Sequence, residues 1–417
     1  MKMSLAVAIL IGVGGIAHAQ SPLTLEEAVR LALTRNERAA IADLEIEVAE
    51  ASIYRARGAF LPIVQLSAND TYRPRNDDPK NTAQATLALS QPIFEPTAFP
   101  LYSQAKHAHA ARRAQRTDAR RRLAFDAANA FMDTLLGEQV VQAAQRKLET
   151  AKSNLASTDA QMKAQLVSSN DVTRAQISLA TATRDLAVGT GNLRAAYVEL
   201  EHVLATKVTA VTPPTSLLEA GKQPQSAADD LIASSISRRA DLEANKELAA
   251  AARAFAREPR MRYLPSFELG AQVSAVTPSD GNTIDALIAI SARWTLFDAG
   301  SRSADARARD AQVKIADLET STLVRSIDAD VRSAVVVLES RQQALAAAGS
   351  ARDAARKGAD EAAILYRQGL AKAIELLDAN DSRFIAEVNF ATTEFDVATA
   401  YLSLRLAMGL DPTEVKP

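Results

Sequence analysis

The chain has 417 residues, with 48 lysines and arginines against 50 aspartates and glutamates, for a net charge of −2. That balance excludes the strongly basic character of a typical nucleic-acid binder, and the absence of cysteine excludes disulfides, thiolate metal sites and cysteine nucleophiles. Aromatic residues are only 5% while alanine recurs throughout; this composition favours long, closely packed helices over a bulky globular core.

Lys2, the apolar run from Leu5 to Ile16 and the small-x-small sequence Ala17-His18-Ala19 read as a secretory signal over residues 1–19, with the mature chain beginning near Gln20. The apolar run is shorter than the ~20 residues of a membrane-spanning helix. No later stretch is long and apolar enough for one, so insertion into a membrane would have to use strands.

Residues 20–210 form a first unit. Leu25, Ala28, Val29, Ala32 and Leu33 fall at helical spacing and predict one helix from Leu25 to Arg57. Thr24 followed by Glu27 resembles a capping box, and Gly58 and Pro62 stop the helix. The period then changes to two. Val64, Leu66 and Ala68 alternate with Gln65, Ser67 and Asn69, predicting a strand near 63–72. After a polar loop with Pro74 and Pro79, alternation resumes near 82–90 and closes at Pro92. From Leu101 to Gln165 the pattern is again helical, a rod of about 100 Å at 1.5 Å per residue. A turn near 166–170 sends a second helix back toward Ala205. Residues 211–225, with Pro213, Pro214 and Pro224, read as a linker.

Residues 226–412 repeat the order: a helix from Ala227 to Arg257, strands near 266–276 and 285–296, then a long helix that turns near 369–373 and returns to Met408. Landmarks repeat as well. Leu61-Pro62 matches Leu264-Pro265 and Gln91-Pro92-Ile93-Phe94 matches Trp294-Thr295-Leu296-Phe297, each 203 positions apart. Leu166 and Leu370, and Ala175 and Ala379, lie 204 apart. So small a drift predicts a duplicated chain. The predicted fold is mainly α with a small β part, in two repeats, each a helix, a two-stranded segment and a long helical hairpin. Four amphipathic strands cannot close a barrel in lipid, where an open edge is not tolerated. Either several copies join, or the strands are not in a membrane.

This order, carried by Gly58-Ala59-Phe60-Leu61-Pro62, Gln91 to Phe94, Asp171 with Val172 and Ala175, and Tyr366 through Ala379, resembles the TolC-like outer membrane efflux protein family over roughly Leu23 to Leu410. The resemblance implies a homotrimer whose twelve strands form a β-barrel in outer-membrane lipid and continue into a twelve-helix α-barrel through the periplasm of a Gram-negative bacterium. It implies a passive exit duct of a tripartite efflux pump or type I secretion system, docking a periplasmic adaptor and an inner-membrane transporter of RND, ABC or MFS type. Two other readings are a periplasmic adaptor, which carries one hairpin per chain, and a soluble coiled-coil scaffold, which needs no amphipathic strands.

Glu375 and Asp378 are three apart on one helix face, and by resemblance they ring the pore constriction. Tyr366 and Asp171 correspond to an entrance latch; the latch arginine of the family is replaced here by Ala371. Gly369 and Gln165 mark the hairpin turns, with Gln165 where the family has glycine. Strand phase places Arg293, Ser291 and Gln84 toward the lumen. The basic run Arg112, Arg113, Arg116, Arg120, Arg121 and Arg122 reads as a solvated helix face. No catalytic motif is found, His107, His109 and His202 are scattered, and nothing calls for a metal or cofactor. The sequence predicts no enzyme.

Overall fold

The computed structural model describes residues 22–74, 80–277 and 283–413. The predicted signal over 1–19 and the loop residues 75–79 and 278–282 lie outside the described residues. The protein is mostly helical with one small sheet. Helices α1 (Leu25–Arg35) and α2 (Glu37–Gly58) lead into strands β1 (Ile63–Arg73) and β2 (Lys80–Phe94). Helices α3 (Ala98–Lys163) and α4 (Ser169–Leu204) form a long hairpin. Then come α5 (Thr215–Lys222), α6 (Ala228–Arg238), α7 (Ala240–Phe255) and α8 (Glu258–Met261). Strands β3 (Ser266–Thr277) and β4 (Thr283–Arg293) precede a second long hairpin, α9 (Ser301–Arg367) and α10 (Ala373–Ala407).

Two predicted helices are each broken once. Asn36 takes an extended conformation between α1 and α2, and its side-chain oxygen accepts from Arg38 N at 2.9 Å while its amide donates to Val203 O at 2.8 Å. A polar side chain thus offers the backbone an alternative to the helix. Arg239 interrupts the second helix in the same extended way, anchored on Asp241 and Asp330. The expected linker 211–225 contains α5, whose Gly221 packs so closely on Val397 that an added Cβ would stand 3.3 Å from its methyl group.

The four strands form one antiparallel sheet in the order β1-β2-β3-β4. β2 runs past its expected end, through Pro92 to Phe94, with a register irregularity at that point. Proline is tolerated at such irregularities, and β1 has already ended at the Ile63–Ser90 pair. β4 stops at Arg293, so Trp294 and Leu296 lie beyond it; the Trp294 indole donates to Tyr263 O at 3.0 Å.

The core lies at the waist of the helical part. Phe125, Phe131, Met132 and Leu135 of α3 meet Leu25, Leu200, Leu217 and Leu402 there, with Ala124, Ala127 and Ala128 letting the helices approach. A second cluster joins Ile232, Val331, Leu338, Val397 and Leu404. The basic run is not a plain solvated face. Arg112 pairs with Glu45 and both Arg116 and Arg120 with Asp43, tying α3 to α2, while Arg121 and Arg122 pair with Asp118. The acidic partners on α2 come from far away in sequence, so the run alone did not reveal them. Among the described residues no helix is long and apolar enough to cross a membrane.

Candidate functional site

Strand register sorts the sheet into two faces, because residues paired across antiparallel strands point the same way. Leu66, Leu87, Val273 and Ala286 form one row across the four strands, and Val64, Leu89, Ala271 and Ile288 form the next. This face is apolar and open: Leu66 is 73% exposed and Ile288 77%. The opposite face carries Ser67, Thr86, Ser274 and Asp285 in one row and Gln65, Ala88, Gln272 and Leu287 in another. Arg293, Ser291 and Gln84 all lie on this polar face, paired with Ser266, Glu268 and Val276. There Ser90 donates to Glu268 at 2.7 Å. β1 and β4 are the two edges, each with a neighbour on one side only.

Aromatic side chains gather where the sheet meets the helices. Phe60 and Phe99 have ring centroids 5.1 Å apart, with Tyr102 6.1 Å from Phe60, and Phe94 bridges Phe99 and Phe267 at 6.4 and 6.5 Å. Tyr263 and Trp294 stand at the same junction. In the sequence, Phe60, Phe94 and Trp294 stand out only as members of the repeated and family-like stretches, and Phe99, Tyr102, Tyr263 and Phe267 carry no such mark.

At the far end, both hairpin turns use left-handed backbone, with φ of 60° at Gln165 and 73° at Gly369. Gln165 therefore does what glycine does more cheaply. Asp171 serves its own helix: its carboxylate accepts from Ser168 N at 3.0 Å and Ser168 Oγ at 2.8 Å, completing a capping box. Tyr366 is buried, and its hydroxyl donates to Gln161 Oε1 at 2.8 Å and stands 3.5 Å from Thr158 Oγ1. Tyr366 and Asp171 line the same cleft between the turns but are not hydrogen-bonded to each other. Arg367, beside Ala371 in this cleft, donates back to Ala363 O. Glu375 and Asp378 are exposed on the first turns of α10, on one face.

Higher on the hairpins lies a charged cluster that the sequence did not disclose. Lys147 of α3, its side chain only 9% exposed, bonds Asp185 of α4 and Asp381 of α10, each at 2.9 Å, and lies over the Phe384 ring. Glu387 of α10, 6% exposed, accepts from Arg146 of α3 at 3.1 Å, from Arg356 of α9 at 2.9 Å and from Arg383 at 3.2 Å. Burial pushes the Glu387 carboxyl up, but the arginine hydrogen bonds outweigh it and hold the group below its ordinary range. Burial likewise lowers the Lys147 ammonium, and its two aspartates more than reverse this.

An amphipathic sheet with open edges at one end and two helical turns at the other is the geometry of a channel protomer. The family model described as outer membrane efflux protein matches residues 28–206 and 231–410. The chain belongs to the outer membrane efflux protein family. This efflux-family chain is also 32% identical over 157 residues to protein CyaE of Bordetella pertussis, a match that covers 37% of the chain and 33% of that relative. Its fold matches solved structures closely. A CusC structure, described for the conformational changes accompanying folding and transmembrane channel formation, aligns with a TM-score of 0.81 at 17% identity, over 93% of this chain and 92% of the other. The Campylobacter jejuni CmeC outer membrane channel aligns at 0.78 and 16% identity, over 94% and 87%. The open state of the Neisseria gonorrhoeae MtrE outer membrane channel aligns at 0.79 and 20%, over 93% and 89%. The adaptor reading, with its single hairpin, does not fit a chain with two.

Proposed function

We propose that the chain is one protomer of a trimeric outer-membrane channel, a passive duct for export. The observation that carries this is the four-stranded sheet with one broad apolar face, one polar face and two unpaired edges. In lipid, backbone groups at a free edge have no partner. Membrane barrels begin at about eight strands, so a single sheet of four must join copies of itself. Three copies give twelve strands, with apolar residues toward lipid and Gln84, Ser291 and Arg293 toward a watery lumen. The aromatic cluster at the sheet–helix junction suits the membrane interface. The hairpins then extend into the periplasm, where an adaptor and an inner-membrane transporter dock and supply the energy. The matching element order of the two halves is read as an internal duplication.

Glu375 and Asp378, exposed beside the turn, become rings of carboxylates at the entrance, which favour cations. Tyr366, held by Gln161, is the latch residue on the inner side, and Asp171 frames the neighbouring turn. The test is extraction followed by electrical recording. Detergent-requiring trimers that dissociate on heating, and ion-conducting pores in planar bilayers, are expected. Release of a monomer by osmotic shock would refute the proposal. Glu375→Ala with Asp378→Ala should lower cation preference and relieve block by divalent ions; unchanged selectivity would remove these two from the constriction.

A further inference from the structure

Among the described residues, side-chain polar groups join the two long hairpins at two levels only. The lower level is neutral: the Tyr366 hydroxyl against Gln161 and Thr158. The upper level is ionic: Lys147 with Asp381 at 2.9 Å and Arg146 with Glu387 at 3.1 Å. Lys147 and Gln161 are about 21 Å apart along α3, at 1.5 Å per residue.

The two levels differ in strength. Hydrogen bonds between charged groups are roughly twice as strong as neutral ones, and each upper pair includes one side chain nine-tenths buried. Lys147 adds a cation–π contact, 4.5 Å from the centre of the Phe384 ring on α10. The lower level rests on one good hydrogen bond. Under a separating load the tips part first.

The upper level is also built to survive motion. Lys147 keeps Asp185 within its own hairpin, and Glu387 keeps Arg356 and Arg383 within its own. Tilting α10 against α3 therefore leaves neither buried charge without a partner, the condition that would otherwise be most costly. A cavity of 530 Å³ bordered by Arg146, Lys147, Asn380, Asp381 and Glu387 gives these side chains room to shift. Asn380 Nδ2, buried and without a hydrogen-bond partner, sits beside it.

We infer that the Lys147–Asp381 and Arg146–Glu387 pairs are the pivot of the second hairpin: the tips below them separate while the pairs hold α10 against α3 and limit how far the entrance opens. These four are positioning residues; they act on the opening through the placement of α10. The inference rests on the channel reading above.

The test compares single-channel conductance of the full-length oligomer in planar bilayers for the natural chain, Tyr366→Phe, and Tyr366→Phe combined with Asp381→Asn and Arg146→Gln. The last two changes remove only contacts between hairpins; both side chains are about half exposed, and both buried charges keep their own partners. Tyr366→Phe is expected to raise conductance, and the triple variant to raise it about twofold further, a non-additive coupling between the two levels. Equal conductance of Tyr366→Phe and the triple variant would overturn the pivot, as would a Tyr366→Phe conductance no higher than that of the natural chain. Heat-dissociable oligomer on gels confirms that each variant assembles; if the triple variant does not, Asp381→Asn with Tyr366→Phe makes the same comparison. Failure of the channel reading is separately visible, because the natural chain would then form no pore.

Discussion

At the scale of single residues, the hairpin turns set backbone demands that side chains do not share. Gly369 has φ of 73° and nothing within 4 Å of an added Cβ. Gly369→Ala therefore meets no clash and costs only backbone strain, about 1–2 kcal/mol. Faster amide exchange confined to the turn would be the sign of it; unchanged exchange would mean the turn has relaxed to another conformation. Glu387 is a second residue with a readable consequence. Its folded-state pKa lies below the ordinary 4.5. The stability it supplies is then complete above pH 4.5 and is lost as pH falls through the lower folded value. Melting temperature should drop as pH falls from 4.5 through that lower value, and Glu387→Gln should flatten this dependence. The same variant should cost about 2 kcal/mol near neutral pH, less than a fully buried pair, because its arginines are part exposed.

At the scale of elements, the long helices were legible because period and proline-free length both point to them. Their interruptions were not. Asn36 looks like an ordinary helical position until Val203, 167 positions away, supplies the carbonyl that holds its amide. Asn36→Ala removes a cap and a buried hydrogen bond together and should cost about 1–2 kcal/mol, measurable by thermal melting; a neutral result would mean α1 and α2 fuse into one helix. The end of β2 differs from the sequence expectation for a related reason. Pro92 looks like a stop, yet β2 continues because its irregularity falls where β1 has ended.

At the scale of the whole molecule, the sheet faces decide what the protein can assemble into. Leu287 and Ile288 are neighbours of similar size on opposite faces. Ile288→Arg places a charge on the face read as lipid-facing and should cost about 2–4 kcal/mol near mid-membrane. Leu287→Arg, on the polar face, should be tolerated. Comparing the yield of heat-dissociable trimer in the outer membrane tests this. Equal yields would mean the apolar face does not meet lipid.

By itself the sequence determined the order of helices and strands, the two turns and the faces of the strands. These follow from local periodicity and from residues such as Gly369, whose backbone freedom needs no distant partner. Only the tertiary structure decided which charges pair. Lys147 and Glu387 look like ordinary helix-surface residues in the sequence. They become buried anchors because two hairpins whose paired residues stand more than two hundred positions apart lie side by side, and no local pattern encodes the neighbour that will cover a helix face. The same holds for Tyr366, whose partner is Gln161 rather than Asp171, because the Asp171 carboxylate is already taken up in starting α4.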